Sequence, residues 1–180
     1  MFGLHPNAEI GYLTTQSETL FATILSVQGG SGGGGGDDSK VKALIISFLA
    51  QLPQDFNMLE IFGKAKNKTP YVVVCLQECE RMNILLQEIR NTLNDLDAGL
   101  KGSLNITDAM ESLARFININ AVPAGWEKYA YFSKKSLLDW FADMKERVSQ
   151  LVGWQEALET PPVVWISGLF NPMSYLTAIM

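Results

Sequence analysis

The chain has 180 residues, with 14 Lys and Arg against 19 Asp and Glu, for a net charge of −5. Charged residues make up only 18% and hydrophobic residues 47%. No basic field exists to attract phosphate backbones, so nucleic-acid binding is disfavoured. The opening "MFGLHPNAEI" has neither a charged n-region nor an apolar h-region, so it does not read as a secretory signal. Cys75 and Cys79, the two cysteines, stand four apart. They make no disulfide framework, and the default compartment is reducing and cytoplasmic.

Thr15 and Glu18 form a capping-box pattern ahead of a stripe of Leu20, Phe21, Ile24, Leu25 and Gln28. The run "GGSGGGGGDDS" has maximal backbone freedom and little to pack, and reads as a flexible loop or linker. Val41, Leu44, Ile45, Phe48, Leu49 and Leu52 then mark an amphipathic helix. Asp38 or Ser39 can cap it, and Pro53 stops it. A short helix is expected over 57–62, with Gly63 as its C-cap.

Thr69-Pro70 opens the longest element, Thr69 as N-cap and Pro70 at the first helical position. Cys75, Cys79, Met82, Leu85, Leu86, Ile89, Leu93 and Leu96 keep helical spacing as far as Gly99. The β-prone "YVVV" at its front competes as a strand. "LKGSLNIT" makes a loop, Thr107 or Asp108 begins a helix to about Ile117, and "AVPAGW" is a turn. Ser133 is expected to cap the last long helix, which turns Leu137, Trp140, Phe141, Met144, Val148 and Leu151 inward. Pro161-Pro162 ends the helical region.

The ending "VVWISGLFNPMSYLTAIM" has no charged residue. A spanning helix needs roughly 20 uninterrupted apolar residues, and Gly168 and Asn171-Pro172 interrupt this run, so no membrane segment is expected. "VVWISG" is β-branched and aromatic, which predicts a short buried strand. Asn171 as N-cap and Pro172 at the first helical position predict a helix with Met173, Leu176, Ile179 and Met180 on one face. A strand needs partners for its backbone groups, and none is visible in this sequence. The expectation is therefore a piece cut from a larger domain. The fold class that results is mainly α, an array of about six amphipathic helices with a short strand near the C-terminus. Its expected divisions are an N-terminal segment and first helix at 1–28, a Gly-rich loop at 29–39, a helical region at 40–160 and the start of a β-containing part at 161–180.

Chemistry is sparse. The glycine run lacks the lysine of a phosphate loop, and Asp37 and Asp38 follow it instead. Cys75 and Cys79 read as small buried hydrophobes, because four N/S zinc ligands cannot be assembled with His5 as the one histidine. Asp95/Asp97 and Asp139/Asp143 read as solvated helix faces, and Trp126, Trp140, Trp154 and Trp165 as packing residues. No catalytic, cofactor-binding or metal residue is assigned.

Four segments in order carry a resemblance: "FGLHPNAEIGYLTTQSETLF", "RMNILLQEIRNTLNDLDAGLKGSLNIT", "VPAGWEKYAY" and "VVWISGLFNPMSYLTAIM". Together they resemble the C-terminal region of dynein heavy chains, axonemal and outer-arm in flavour, over nearly the whole sequence except about 29–39. The resemblance implies a helical part following the sixth AAA+ module of a motor ring and leading into a small β-barrel. It implies a non-catalytic support role in ATP-driven, microtubule-based movement in the ciliary axoneme. ATP and Mg would belong to AAA+ modules outside this chain. The implied partners are the rest of the heavy chain and other dynein subunits, with the microtubule reached only through the whole motor. A free-standing helical adaptor is the alternative.

Overall fold

The structure is a computed structural model that describes residues 14–20, 36–65, 69–159 and 163–180. The protein forms two compact units, Met1–Lys40 and Val41–Met180. In the first, residues 14–20 are helical (α1), held by Ser17 and Thr19 hydroxyls donating to the carbonyls of Thr14 and Thr15. Thr15 lies inside this helix, not at its N-cap. The expected stripe from Phe21 to Gln28, His5 and the glycine run at 29–35 lie outside the described residues.

Six further helices and a short turn of helix follow among the described residues: α2 (Gly36–Gln51), α3 (Met58–Lys64), α4 (Pro70–Leu100), α5 (Asp108–Asn118), α6 (Ala124–Glu127), α7 (Leu137–Ala157) and α8 (Pro172–Ile179). Ser39 stands within α2, so it does not cap it. Asn57 caps α3, and Gly63 is helical, with Ala65 at the C-cap instead.

The second unit is organised around α4, whose 31 residues give an axis of about 46 Å at 1.5 Å per residue. It packs against α3, α5, α6, α7 and α8. Its β-branched start is helical for two reasons. Thr69 Oγ1 accepts from Val72 N–H at 3.3 Å with Pro70 in the first turn, and Tyr71, Val72, Val74 and Cys75 are all buried there. The helix runs one residue past Gly99. It ends where Gly102 takes φ +76, with Ser103 N–H bonded to Ala98 C=O and Gly102 N–H to Gly99 C=O, a Schellman closure. Asn120, at φ 56, closes α5 in the same way.

The core is continuous from Val41 to Tyr175. Cys75, Cys79, Met82, Leu85, Leu86, Ile89 and Leu93 are wholly buried along one side of α4. Trp126, Trp140 and Trp154 are at most 2% exposed. Trp126 stacks on Trp140 at 6.0 Å between centroids, and Tyr131 on Trp140 at 5.9 Å. "AVPAGW" is not a plain turn: Ala124–Glu127 is helical, and this turn of helix delivers Trp126 to the core.

The C-terminal expectation needs correction. No strand occurs among the described residues, and "VVWISG" contains a 3-10 turn at Ile166–Gly168. The turn closes through Gly168 N–H to Trp165 C=O and Leu169 N–H to Ile166 C=O. Trp165's backbone finds a side-chain amide where a neighbouring strand was expected: its N–H donates to Gln150 Oε1 at 2.7 Å, and its carbonyl accepts from Gln150 Nε2 at 3.3 Å. Asn171 does cap α8, accepting from Ser174 N–H at 3.2 Å. The face that carries Met173, Ile179 and Met180 is not the one that packs inward. Tyr175 is buried against Tyr71 and Trp154, while Met173, Ile179 and Met180 are exposed. No helix among the described residues is long and apolar enough to cross a membrane.

Candidate functional site

The residues weighed for chemistry are scattered. Cys75 and Cys79 are buried within α4, one turn apart. A hydrogen bond between them and their burial push the Cys79 thiol up, which keeps it protonated and a poor nucleophile. Asp95 is exposed near the end of α4, and Asp97 pairs with Lys101. Among the described residues no group of His, Cys, Asp and Glu is placed to hold a metal.

Asp143 departs from the expected solvated face. It is buried, and Lys135 Nζ donates to its Oδ1 at 2.8 Å while Arg147 Nε donates to its Oδ2 at 3.0 Å. Burial would push this carboxyl up, but the two cations more than offset it and hold it below the ordinary carboxylate value. Arg147 is itself buried, its guanidinium 3.4 Å from the Tyr131 ring centroid and 4.9 Å from that of Trp165.

Glu78, from α4, acts on the same stretch of backbone. Its carboxylate accepts from Phe170 N–H at 2.6 Å and from Asn171 N–H at 2.8 Å. Burial pushes its carboxyl up, although the two backbone donors and the charges of Arg81 and Arg147 act against that. Gln150, Arg147 and Glu78 thus grip residues 165–171 from α7 and α4. The same logic recurs in the connection between α2 and α3. Buried Asn83 accepts from Phe56 N–H at 2.7 Å and donates to Phe56 C=O at 2.9 Å. Two turns along α4, Arg90 donates to Asp55 Oδ1 at 2.8 Å and to Pro53 C=O at 2.9 Å. The arrangement is a mechanical one, in which polar side chains of two long helices fix non-helical segments.

Sequence reasoning missed Glu78, Asn83, Gln150 and Arg147. The available signal was Glu78 beside Cys79 and Asn83 beside Met82, polar groups embedded in an apolar stripe. Buried polar groups require partners, so such positions mark internal bonding sites.

The family described as the C-terminal domain of the dynein heavy chain matches residues 14–180. The protein belongs to this family. It is 50% identical over 185 residues to the ciliary dynein beta chain of Heliocidaris crassispina, covering 100% of this sequence and 4% of that protein. Dynein axonemal heavy chain 11 of Sus scrofa is 49% identical over 185 residues, again across 100% of this sequence and 4% of the relative. The flagellar outer arm dynein beta chain of Chlamydomonas reinhardtii is 40% identical, across 99% of this sequence and 4% of its own length. The sequence therefore spans about 4% of the length of these relatives. In this dynein C-terminal domain, the grip of α4 and α7 on residues 165–171 is the arrangement that joins the longest helices to the C-terminal helix.

Proposed function

We propose that this protein is a non-catalytic structural segment of an axonemal dynein heavy chain, bracing the AAA+ ring during ATP-driven, microtubule-based movement in the cilium. Family membership supports this role together with one observation. The polar side chains buried in its helical core, Glu78, Asn83, Asp143 and Arg147, are directed at backbone groups and at one another. Such a core transmits load, because packed interiors have low compressibility and pass strain on. The partners are the rest of the heavy chain and other dynein subunits, and the microtubule is engaged through the whole motor. ATP and Mg belong to modules outside this sequence.

The test is made in the full-length heavy chain with Glu78→Ala and Asn83→Ala together. Retained nucleotide binding and basal ATP hydrolysis, with slower microtubule gliding, is the expected result. Unchanged gliding despite measurable loosening of the domain would remove the bracing role. Loss of nucleotide binding would replace it with a catalytic one.

A further inference from the structure

A cavity of about 310 Å³ opens between the second half of α4, α5 and α6. Met110, Leu113 and Phe116 of α5 line it, with Trp126 of α6. The polar groups at its base are already satisfied. Trp126 Nε1–H donates to Thr92 Oγ1 at 2.9 Å, and the Thr92 hydroxyl donates to Glu88 C=O at 2.7 Å. The interior therefore favours an apolar group over a polar one.

The α4 wall is different. It carries Glu88 and Asp95, at i and i+7, with Thr92 between them, and no Lys, Arg or His lines the cavity. The ion pairs among the described residues use Asp55, Glu60, Asp97 and Asp143, and leave Glu88 and Asp95 out. An apolar hollow edged by two acidic groups repels phosphate-rich surfaces and attracts cationic ones.

We propose that this groove docks an amphipathic helix of a partner polypeptide, with one large apolar side chain in the cavity and Lys or Arg residues one heptad apart on Glu88 and Asp95. The spacing selects the helix. Glu88 and Asp95 are two turns apart, about 10 Å along α4, and a partner helix laid alongside repeats at the same interval. Its i+3 or i+4 residue then falls over the cavity, between the two cations. An extended segment would cover the same distance in about three residues, whose end side chains point to opposite faces. Met110 in the wall suits an anchor of variable shape. The proposed docking stands apart from the bracing role.

The probe is a synthetic helical peptide of about 18 residues, long enough to hold helix in water, with lysines at i and i+7 and Trp at i+4. It is titrated into the full protein while the indole N–H signal of Trp126 and the signals of Thr92 and Met110 are followed by NMR. Saturable shifts at these three residues are expected, with affinity falling at least about tenfold in Glu88→Lys/Asp95→Lys and unchanged in Glu80→Lys/Glu146→Lys, which alters net charge equally outside the groove. Glu88→Gln/Asp95→Asn keeps the side-chain shapes and is expected to weaken binding as well, so the test survives misfolding of the reversed variant. Equal binding to all variants, equal loss in both lysine variants, or equal binding by a peptide with Ala at i+4 would overturn the proposal. So would a small indolyl amine that binds as tightly as the peptide, since the cavity would then be a small-molecule site.

Discussion

At the scale of single residues, the domain is held by side chains that replace missing backbone partners. Asn83 does for Phe56 what a neighbouring strand would do, supplying both a donor and an acceptor in a buried setting. Asn83→Ala leaves a buried N–H and C=O without partners, which costs about 2–3 kcal/mol. Chemical denaturation should show a lower midpoint with an unchanged slope. Gly168 has a different role. A Cβ there would lie 2.5 Å from Trp165 Cε3, inside any real contact distance. Gly168→Ala must therefore displace the Trp165 indole, at an expected cost of about 1–3 kcal/mol. Faster amide exchange across 165–171 than in the parent protein would report the opening, and unchanged exchange there would show that the ring yields freely.

At the scale of elements, caps decide where helices begin, and here sequence reading erred by one turn. Ser133 was the expected cap of α7, but Ser136 holds the position, its Oγ accepting from Asp139 N–H at 3.4 Å. Ser133 instead accepts from Lys135 N–H in the preceding loop. Ser136→Ala should cost about 1 kcal/mol, and Ser133→Ala clearly less, as compared by thermal unfolding. The helices themselves were legible because their burial follows their own periodicity, as the buried run from Cys75 to Leu96 along α4 shows. The segment around Trp165 was not legible, because composition reports that backbone needs a partner but not who provides it. Gln150 lies 15 residues earlier and takes the strand's place. Asp143 was misread for the same reason. Its position on α7 reads as polar, but it is buried and paired with Arg147 one turn along the same helix and with Lys135 from the loop before it, a partner that helix periodicity alone does not register.

For the whole molecule, Glu78 on α4 and Arg147 on α7 hold the segment that enters the C-terminal helix, Asp143 pairs with Arg147, and the opposite titrations of the two carboxylates give a signed response to pH. Asp143 has a folded-state value below its ordinary 3.8, held there by Lys135 and Arg147 against burial. It stabilises the fold above pH 3.8, and that contribution is lost as pH falls through the lower folded value. Asp143→Asn should thus be destabilised at pH 7, by about 3 kcal/mol for a buried Arg147 left without its carboxylate, and should converge on the parent protein in strong acid. Glu78 runs the other way. Burial raises it above its ordinary 4.5 despite the two backbone donors and Arg81 and Arg147. Its contribution is complete below pH 4.5 and declines as pH rises through the raised folded value. Glu78→Gln cannot show that decline, although its single carbonyl oxygen serves the two N–H groups less well. Its stability relative to the parent should therefore improve from pH 4.5 upward, while that of Asp143→Asn worsens only as pH rises from strong acid to its ordinary 3.8 and stays level above it. Urea denaturation of both variants and the parent from strong acid to pH 8 checks the two windows, below 3.8 for Asp143 and above 4.5 for Glu78. A Glu78→Gln difference that stays level above pH 4.5, or an Asp143→Asn difference that stays level in strong acid, would mean that the two carboxylates do not sit in opposed environments.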